Sequence, residues 1–218
     1  MICGADEAGR GPIFGPLVVA GVNIIDDSEL IKIGVRDSKK LSPKRRELFA
    51  KHIKKIVEKY EFISIPASDI DELRNVMTLN ELEVNAFSKI VERLHPDVCY
   101  VDAADVNEAR FGKDILSNLS FKPTIISKHK ADEIYPVVSA ASILAKTIRD
   151  EQVRIIALEL EKKLDIPLGS GYPSDPVTQK FLKKWVETYE DLPPHVRRSW
   201  QTARNLMNVQ KTKKLDEF

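Results

Sequence analysis

Cysteine and histidine are both scarce in this sequence: it holds two cysteines, Cys3 and Cys99, and four histidines in 218 residues. The cysteines lie far apart in apolar surroundings, so they build neither a disulfide framework nor a thiolate cluster for a metal. They read as inert core thiols of a chain working in a reducing, cytoplasmic setting. No two histidines stand at the spacing of a zinc site. Also missing is any run near the ~20 consecutive apolar residues that span a bilayer, which removes a membrane partner from the expectation. Met1 to Asp6 lacks the basic stretch and apolar core of a secretory signal. There is no excess of charge of one sign: 34 Lys and Arg stand against 33 Asp and Glu, a net +1. Global attraction to nucleic acid is therefore no argument here, although local basic clusters remain open.

What is present is enough apolar residue, 43% of the chain, to bury a core without covalent staples. Met1 to Ala5 is a short apolar strand, and residues 16–25 are rich in β-branched residues. Ser42-Pro43 opens a helix with an N-cap and a first-turn proline. Residues 62–67 read as a strand. Thr78 and Glu81 form a capping-box pattern for a helix ending before Pro96. Val98 to Asp102 is a buried strand, residues 107–118 a helix and residues 124–127 another strand. A long helical pattern covers residues 136–164, with Ala141, Leu144, Ala145 and Ile148 on one face. A glycine-rich turn, Gly169 to Pro173, precedes a helix opened by residues 174–176, and a last helix is expected from near Pro194 to about Met207. Strands and helices interleave early and helices stand alone late, which predicts an α/β sheet domain with a helical C-terminal portion.

Carboxylates end several of the predicted strands. Asp6 and Glu7 follow the first, Asp102 ends the strand from Val98, and Asp132 lies between the strand at residues 124–127 and the long helix. Each has a local explanation by itself, as a turn former, a cap or a charge at a helix N-terminus. Together they point to one crevice at the strand ends of an α/β sheet. Clustered like charges repel unless a cation neutralises them. All-oxygen donors select a hard ion, Mg²⁺ or Mn²⁺, able to assist phosphodiester hydrolysis.

Six blocks now resemble ribonuclease HII, the type 2 ribonuclease H family, in its archaeal-like form. They are residues 6–21 beginning Asp6-Glu7-Ala8-Gly9-Arg10-Gly11, residues 36–41, Tyr100-Val101-Asp102, Lys128 to Asp132, Ser139 to Lys146, and Gly169 to Pro176. The resemblance covers the chain from about Ile2 to Met207. It implies a ribonuclease H-like fold, a mixed central sheet flanked by helices, with a C-terminal helical region. The implied division is a catalytic domain at 1–165, a helical region at 166–207 completing the cleft, and a flexible tail at 208–218. It implies a site of Asp6, Glu7, Asp102 and Asp132 holding two Mg²⁺ or Mn²⁺ ions, with Asp6 between both. The implied activity is hydrolysis of the RNA strand of RNA/DNA hybrids and incision 5′ of ribonucleotides embedded in duplex DNA, leaving 3′-hydroxyl and 5′-phosphate ends. Gly9, Arg10 and Gly11 would read the ribose 2′-hydroxyl, the one group that separates RNA from DNA at a single nucleotide. Tyr172 would pack on the following sugar. Lys39, Arg46, Lys146 and Arg149, with the hydroxyls of Ser139 and Ser142, are candidates for backbone contacts.

The sequence departs from the family at Gly171-Tyr172-Pro173, where glycine commonly follows the tyrosine; proline removes an N–H and fixes φ. The C-terminal residues resemble the end of a sliding-clamp-binding peptide, with Leu215 and Phe218 as anchors, although Thr212 stands where such peptides carry glutamine. The family implies a monomer. Two other readings compete: another nuclease of the same superfamily, such as a junction resolvase, and a non-catalytic module that binds hybrids.

Overall fold

The structure, a computed structural model, describes residues 1–35 and 41–216, with side chains through Gln210 in the last helix. By contacts the chain forms two compact units. The first comprises Met1–Ala8, Val18–Ser64 and Met77–Ile148; the second comprises Gly9–Leu17, Ile65–Val76 and the chain from Arg149 onward.

The first unit carries the sheet. Its strands are β1 (Ile2–Ala8), β2 (Leu17–Ile24), β3 (Lys59–Ile65), β4 (Val98–Asp102) and β5 (Thr124–Lys128), in the order β3-β2-β1-β4-β5. β1 pairs antiparallel with β2 and parallel with β4, and β4 pairs parallel with β5, so the sheet is mixed. Among the described residues five helices lie wholly within this unit: α1 (Ser28–Ile33), α2 (Pro43–Ile56), α4 (Leu79–Leu94), α5 (Glu108–Ser117) and α6 (Ala131–Ile134). The remaining helices are α3 (Ala67–Leu73), α7 (Pro136–Leu164), α8 (Pro176–Tyr189) and α9 (Gln201–Asp216). The unit boundary falls inside α7, after Ile148. Among the described residues no helix is long and apolar enough to cross a membrane.

Side-chain alternation in β1 decides what sits on each face of the sheet. A Cβ at Gly4 would lie 2.3 Å from the carbonyl carbon and oxygen of Val137, so the backbone of α7 rests directly on that face. Gly21 pairs with Ala5, one residue along β1, and a Cβ there would meet Ile90 and Leu94 of α4 on the other face. Asp6 is two residues beyond Gly4, so its side chain projects toward the α7 face. Cys3 and Cys99 are register partners on β1 and β4, both wholly buried.

The atoms a Gly4 side chain would strike belong to backbone and cannot rotate aside. Gly4→Ala is therefore expected to destabilise the protein by about 3 kcal/mol, the upper end of ordinary overpacking. Urea unfolding would show a lowered midpoint with an unchanged slope.

The caps follow sequence rules. The Thr78 hydroxyl accepts from the Glu81 amide at 3.2 Å and the Glu81 carboxylate accepts from the Thr78 amide at 2.7 Å, both halves of the capping box. Several boundaries differ from expectation. β1 runs on to Ala8 rather than stopping at Ala5, so Asp6 and Glu7 lie within the strand, paired with Ala20 and Val19 of β2. The strand expected at residues 62–67 is β3, running from Lys59 to Ile65; Pro66 then caps α3, a helix the sequence pattern did not reveal. The last helix starts at Gln201 rather than near Pro194, because residues 195–197 bond elsewhere: Phe14 bridges Val196, and the Arg197 amide donates to the Ile13 carbonyl at 2.9 Å. That helix runs on to Asp216, over residues expected to be tail.

The second unit has its own core. Ile13 and Phe14 pack with Ile156 and Leu160 of α7 and Phe181, Leu182 and Trp185 of α8.

Candidate active site

In the first unit the carboxylates converge. Ala5 and Val101 are the last register partners of β1 and β4, so Asp6 and Asp102 stand side by side just beyond them. Asp132 arrives from the first turn of α6, entered through Lys130 in the left-handed region at φ 56°. The Ala131 amide donates to Asp102 at 3.1 Å, tying α6 to the end of β4. One carboxylate oxygen from each of Asp6, Asp102 and Asp132 lies within 4.8 Å of the others. Glu7 is not one of the three. It is half-buried beside Asp6, and its own amide donates to the Asp6 carboxylate at 2.7 Å.

The electrostatics of this cluster are unfavourable for protein alone. Asp6 and Asp132 are nearly wholly buried. Burial pushes the Asp6 carboxyl well above the usual carboxylate range, and the charges of Glu7 and Asp102 push it further. Lys146 and a hydrogen bond from Ser142 oppose that shift. The Lys146 ammonium donates to the Ser142 hydroxyl at 2.5 Å and lies 3.9 Å from Asp132. Both residues sit on α7, which brings one partial counter-charge to three acids. The negative charge of the described cluster and its all-oxygen donor set fit a hard divalent cation.

The other candidate residues fall into place differently. Arg46 is half-buried on α2. Ser139 is buried, and its hydroxyl donates to the Val35 carbonyl. Ser142 is likewise buried and engaged with Asp6 and Lys146. Lys39 and Phe218 lie outside the described residues, as does the Leu215 side chain.

The second unit holds the glycine-rich loop and the tyrosine. Gly9 has φ 89°, where a side chain is strained, and a Cβ there would lie 2.4 Å from the Pro16 carbonyl. Gly11 is exposed, and a Cβ on it would sit 3.7 Å from the Tyr172 ring. Tyr172 is 43% exposed, with the Arg149 guanidinium 5.6 Å from its ring centre. Arg149 itself is almost buried and reaches Asp150 at 3.3 Å. The loop, the tyrosine and Arg149 thus form one cluster in this unit.

A network that sequence reasoning missed holds the tyrosine loop. Asp175, the N-cap of α8, accepts from the Ser170 amide and hydroxyl at 2.6 and 2.7 Å and from the Val177 amide at 2.9 Å. Thr178 joins it by donating to the Leu168 carbonyl and accepting from the Gly171 amide. The Asp175 amide donates to the Tyr172 carbonyl at 3.1 Å, and Gln179 holds the Pro173 carbonyl at 2.7 Å. Asp175-Pro176 was legible as a helix opening; that the same carboxylate bends back over five residues was not.

Those donors hold the Asp175 carboxyl down at about 2. The sign follows from a depressed acid: its stabilisation is complete above the ordinary carboxylate range near pH 4 and disappears as pH falls through about 2. Asp175→Asn keeps a capping oxygen and removes the charge. The variant is expected to melt below wild type at pH 7, with the gap closing between pH 4 and pH 2 in thermal scans.

Comparison with known proteins gives one consistent answer. A sequence model of the family described as ribonuclease HII matches residues 3–203. A ribonuclease HII of Methanosarcina mazei is 48% identical over 217 residues, spanning 94% of this chain and 96% of its own. The ribonuclease H2 of Pyrococcus horikoshii OT3 matches with a TM-score of 0.87 at 40% identity, covering 96% of this chain and 98% of that one. A ribonuclease HII from Archaeoglobus fulgidus, solved in a complex with PCNA, gives 0.85 at 40% identity with full coverage of both chains.

Proposed function

This chain belongs to the ribonuclease HII family of endonucleolytic ribonucleases H, which act on RNA/DNA hybrids, and from that premise we propose that it also incises duplex DNA 5′ of embedded ribonucleotides. The products are 3′-hydroxyl and 5′-phosphate ends. The observation that carries this reading is the convergence of Asp6 on β1, Asp102 at the end of β4 and Asp132 on α6 within 4.8 Å.

Those three residues, joined by Glu7, would hold two Mg²⁺ or Mn²⁺ ions. When bound, the ions supply neutralisation of the charge that builds on the phosphoryl oxygens and acidification of a water. The chain does the rest by placement. Lys146, held by Ser142, limits repulsion among the acids without filling their lone pairs. Gly9, Arg10 and Gly11 bring backbone groups against the ribose, where small residues permit close approach. Arg10 offers a forked cation to phosphate. The exposed Tyr172 ring beside Gly11 packs on the next sugar, steadied from below by Arg149. Arg46, and Lys39 by sequence alone, serve the phosphate backbone.

The Archaeoglobus relative was solved with PCNA. A sliding clamp is accordingly the proposed protein partner of this chain, with Leu215 and Phe218 as anchors.

The test is incubation with a DNA duplex carrying one ribonucleotide, in Mg²⁺ or Mn²⁺, with the product ends mapped. Cutting 5′ of the ribonucleotide supports the reading. Cutting of all-DNA junctions would favour a resolvase, and binding without cutting a passive hybrid-binding module.

A further inference from the structure

Arg197 is wholly buried, yet all three of its hydrogen-bonding nitrogens point at backbone carbonyls rather than at an acid. Nη2 donates to the Gly9 carbonyl at 2.5 Å, Nη1 to the Arg10 carbonyl at 2.9 Å and Nε to the Gly15 carbonyl at 3.1 Å. The Gly11 carbonyl continues the pattern by accepting from the Trp200 indole at 3.3 Å, and the Trp200 ring lies 4.7 Å from the Arg197 guanidinium. Three consecutive carbonyls, those of residues 9, 10 and 11, are therefore gathered on one side by two side chains from one short segment.

Peptide planarity fixes what happens on the other side. In a trans peptide the N–H points opposite to the C=O of the same unit. With the carbonyls of Gly9 and Arg10 turned to Arg197, the amides of Arg10 and Gly11 are turned away from it. The third peptide has no N–H to turn, because residue 12 is proline. A cation at the carbonyl end also polarises each amide and strengthens its N–H as a donor. Only a planar fork with several fixed donors can satisfy carbonyls spread over seven residues; an ammonium is a point charge. Burial pulls the guanidinium down to about 9, with Arg149 nearby adding to the effect, so it stays cationic at neutral pH.

We propose that Arg197 is a positioning residue for ribonucleotide recognition, setting the backbone of Gly9, Arg10 and Gly11 so that its amides face the sugar while Arg197 itself touches no substrate. The inference rests on the reading that this loop meets the ribose. Discrimination between RNA and DNA then depends on a side chain nearly two hundred residues away in sequence, with Trp200 as its helper.

The test compares Arg197→Lys with wild type, measuring binding of a single-ribonucleotide duplex and of the same duplex in all-DNA form, in Ca²⁺ to hold off cleavage. The preference for the ribonucleotide is expected to fall about tenfold, the scale of losing a charged hydrogen bond. Circular dichroism and Mn²⁺ binding by calorimetry should match wild type, while amide hydrogen exchange quickens over residues 9–17. Trp200→Phe, which removes one donor alone, is expected to lower the preference by a smaller factor and covers the case in which the lysine variant does not fold. An undiminished preference in either folded variant overturns the proposal, as does loss of ellipticity and Mn²⁺ binding together with the preference in both. If wild type itself shows no preference, the failure lies with the ribonucleotide-incision reading, and quickened exchange over residues 9–17 still reports on Arg197 as the clamp of this loop.

Discussion

Asp6→Asn is expected to lower hydrolysis of an RNA/DNA hybrid by about 10³-fold or more, and at the same time to raise the melting temperature of the metal-free protein. The first effect follows from position. Asp6 is the carboxylate between Asp102 on the neighbouring strand and Glu7 beside it, and it is almost wholly buried. An amide there loses the charge that binds cations, and forfeiting several kcal/mol of charge stabilisation in the transition state corresponds to three orders of magnitude or more. Calorimetry should show Mn²⁺ binding weakened in parallel.

The second effect has the opposite sign for the same reason. Burial and the charges of Glu7 and Asp102 raise the Asp6 carboxyl in the folded state, so the ionised group opposes folding when no cation is present. For a raised acid the stability contribution is present below the unfolded value near pH 4 and is lost as pH climbs through the folded value. Asparagine removes that loss. Relief of about 1 kcal/mol moves the melting temperature of a chain this size up by about 2–4 °C. The gain should be visible at pH 7 and vanish toward pH 4. A variant that cuts hybrids at the wild-type rate would remove Asp6 from the site.

Tyr172→Ala is the other large effect, expected to reduce kcat/KM on a duplex with a single ribonucleotide by about 10- to 100-fold. Stacking of an aromatic ring on nucleic acid is worth about 1–3 kcal/mol, and 1.36 kcal/mol is tenfold. The ring is exposed, with one edge against Gly11, so its removal leaves the core untouched and should barely move the melting temperature. Tyr172→Phe keeps the ring and should keep most of the activity. The loss should be larger on a single ribonucleotide than on a hybrid with a continuous RNA strand, where no sugar changes type beside the cut. Equal losses on both would assign Tyr172 to general duplex binding.

The clustering of three of the acids was readable before folding. Acids at or near the ends of apolar strands announce a crevice, although Asp6 turned out to lie inside β1, and Asp102 and Asp132 stand where the periodicity of β4, β5 and α7 breaks. The capping pair Thr78 and Glu81 was also readable, because both halves of that motif lie within one turn. What escaped is whatever depends on partners distant in sequence. Arg197 looks like one of two adjacent surface arginines until loop 9–15 supplies its carbonyls. The start of α9 was misplaced for the same cause: Val196 and Arg197 are bonded to Phe14 and Ile13, which no local propensity encodes. Likewise Ser139 carries a hydroxyl on a helix near the acids, and only the packed structure shows it spent on Val35.

Cys3 and Cys99, side by side on β1 and β4 and sealed from solvent, have a use beyond filling the core. A thiol reagent reaches them only when the packing around β1 and β4 opens, and those same strands carry Asp6 and Asp102. The rate of labelling is thus expected to report how often the core beneath the acid cluster opens. Labelling is expected to slow when a divalent ion is bound, if the ion ties the two strands together at the acids.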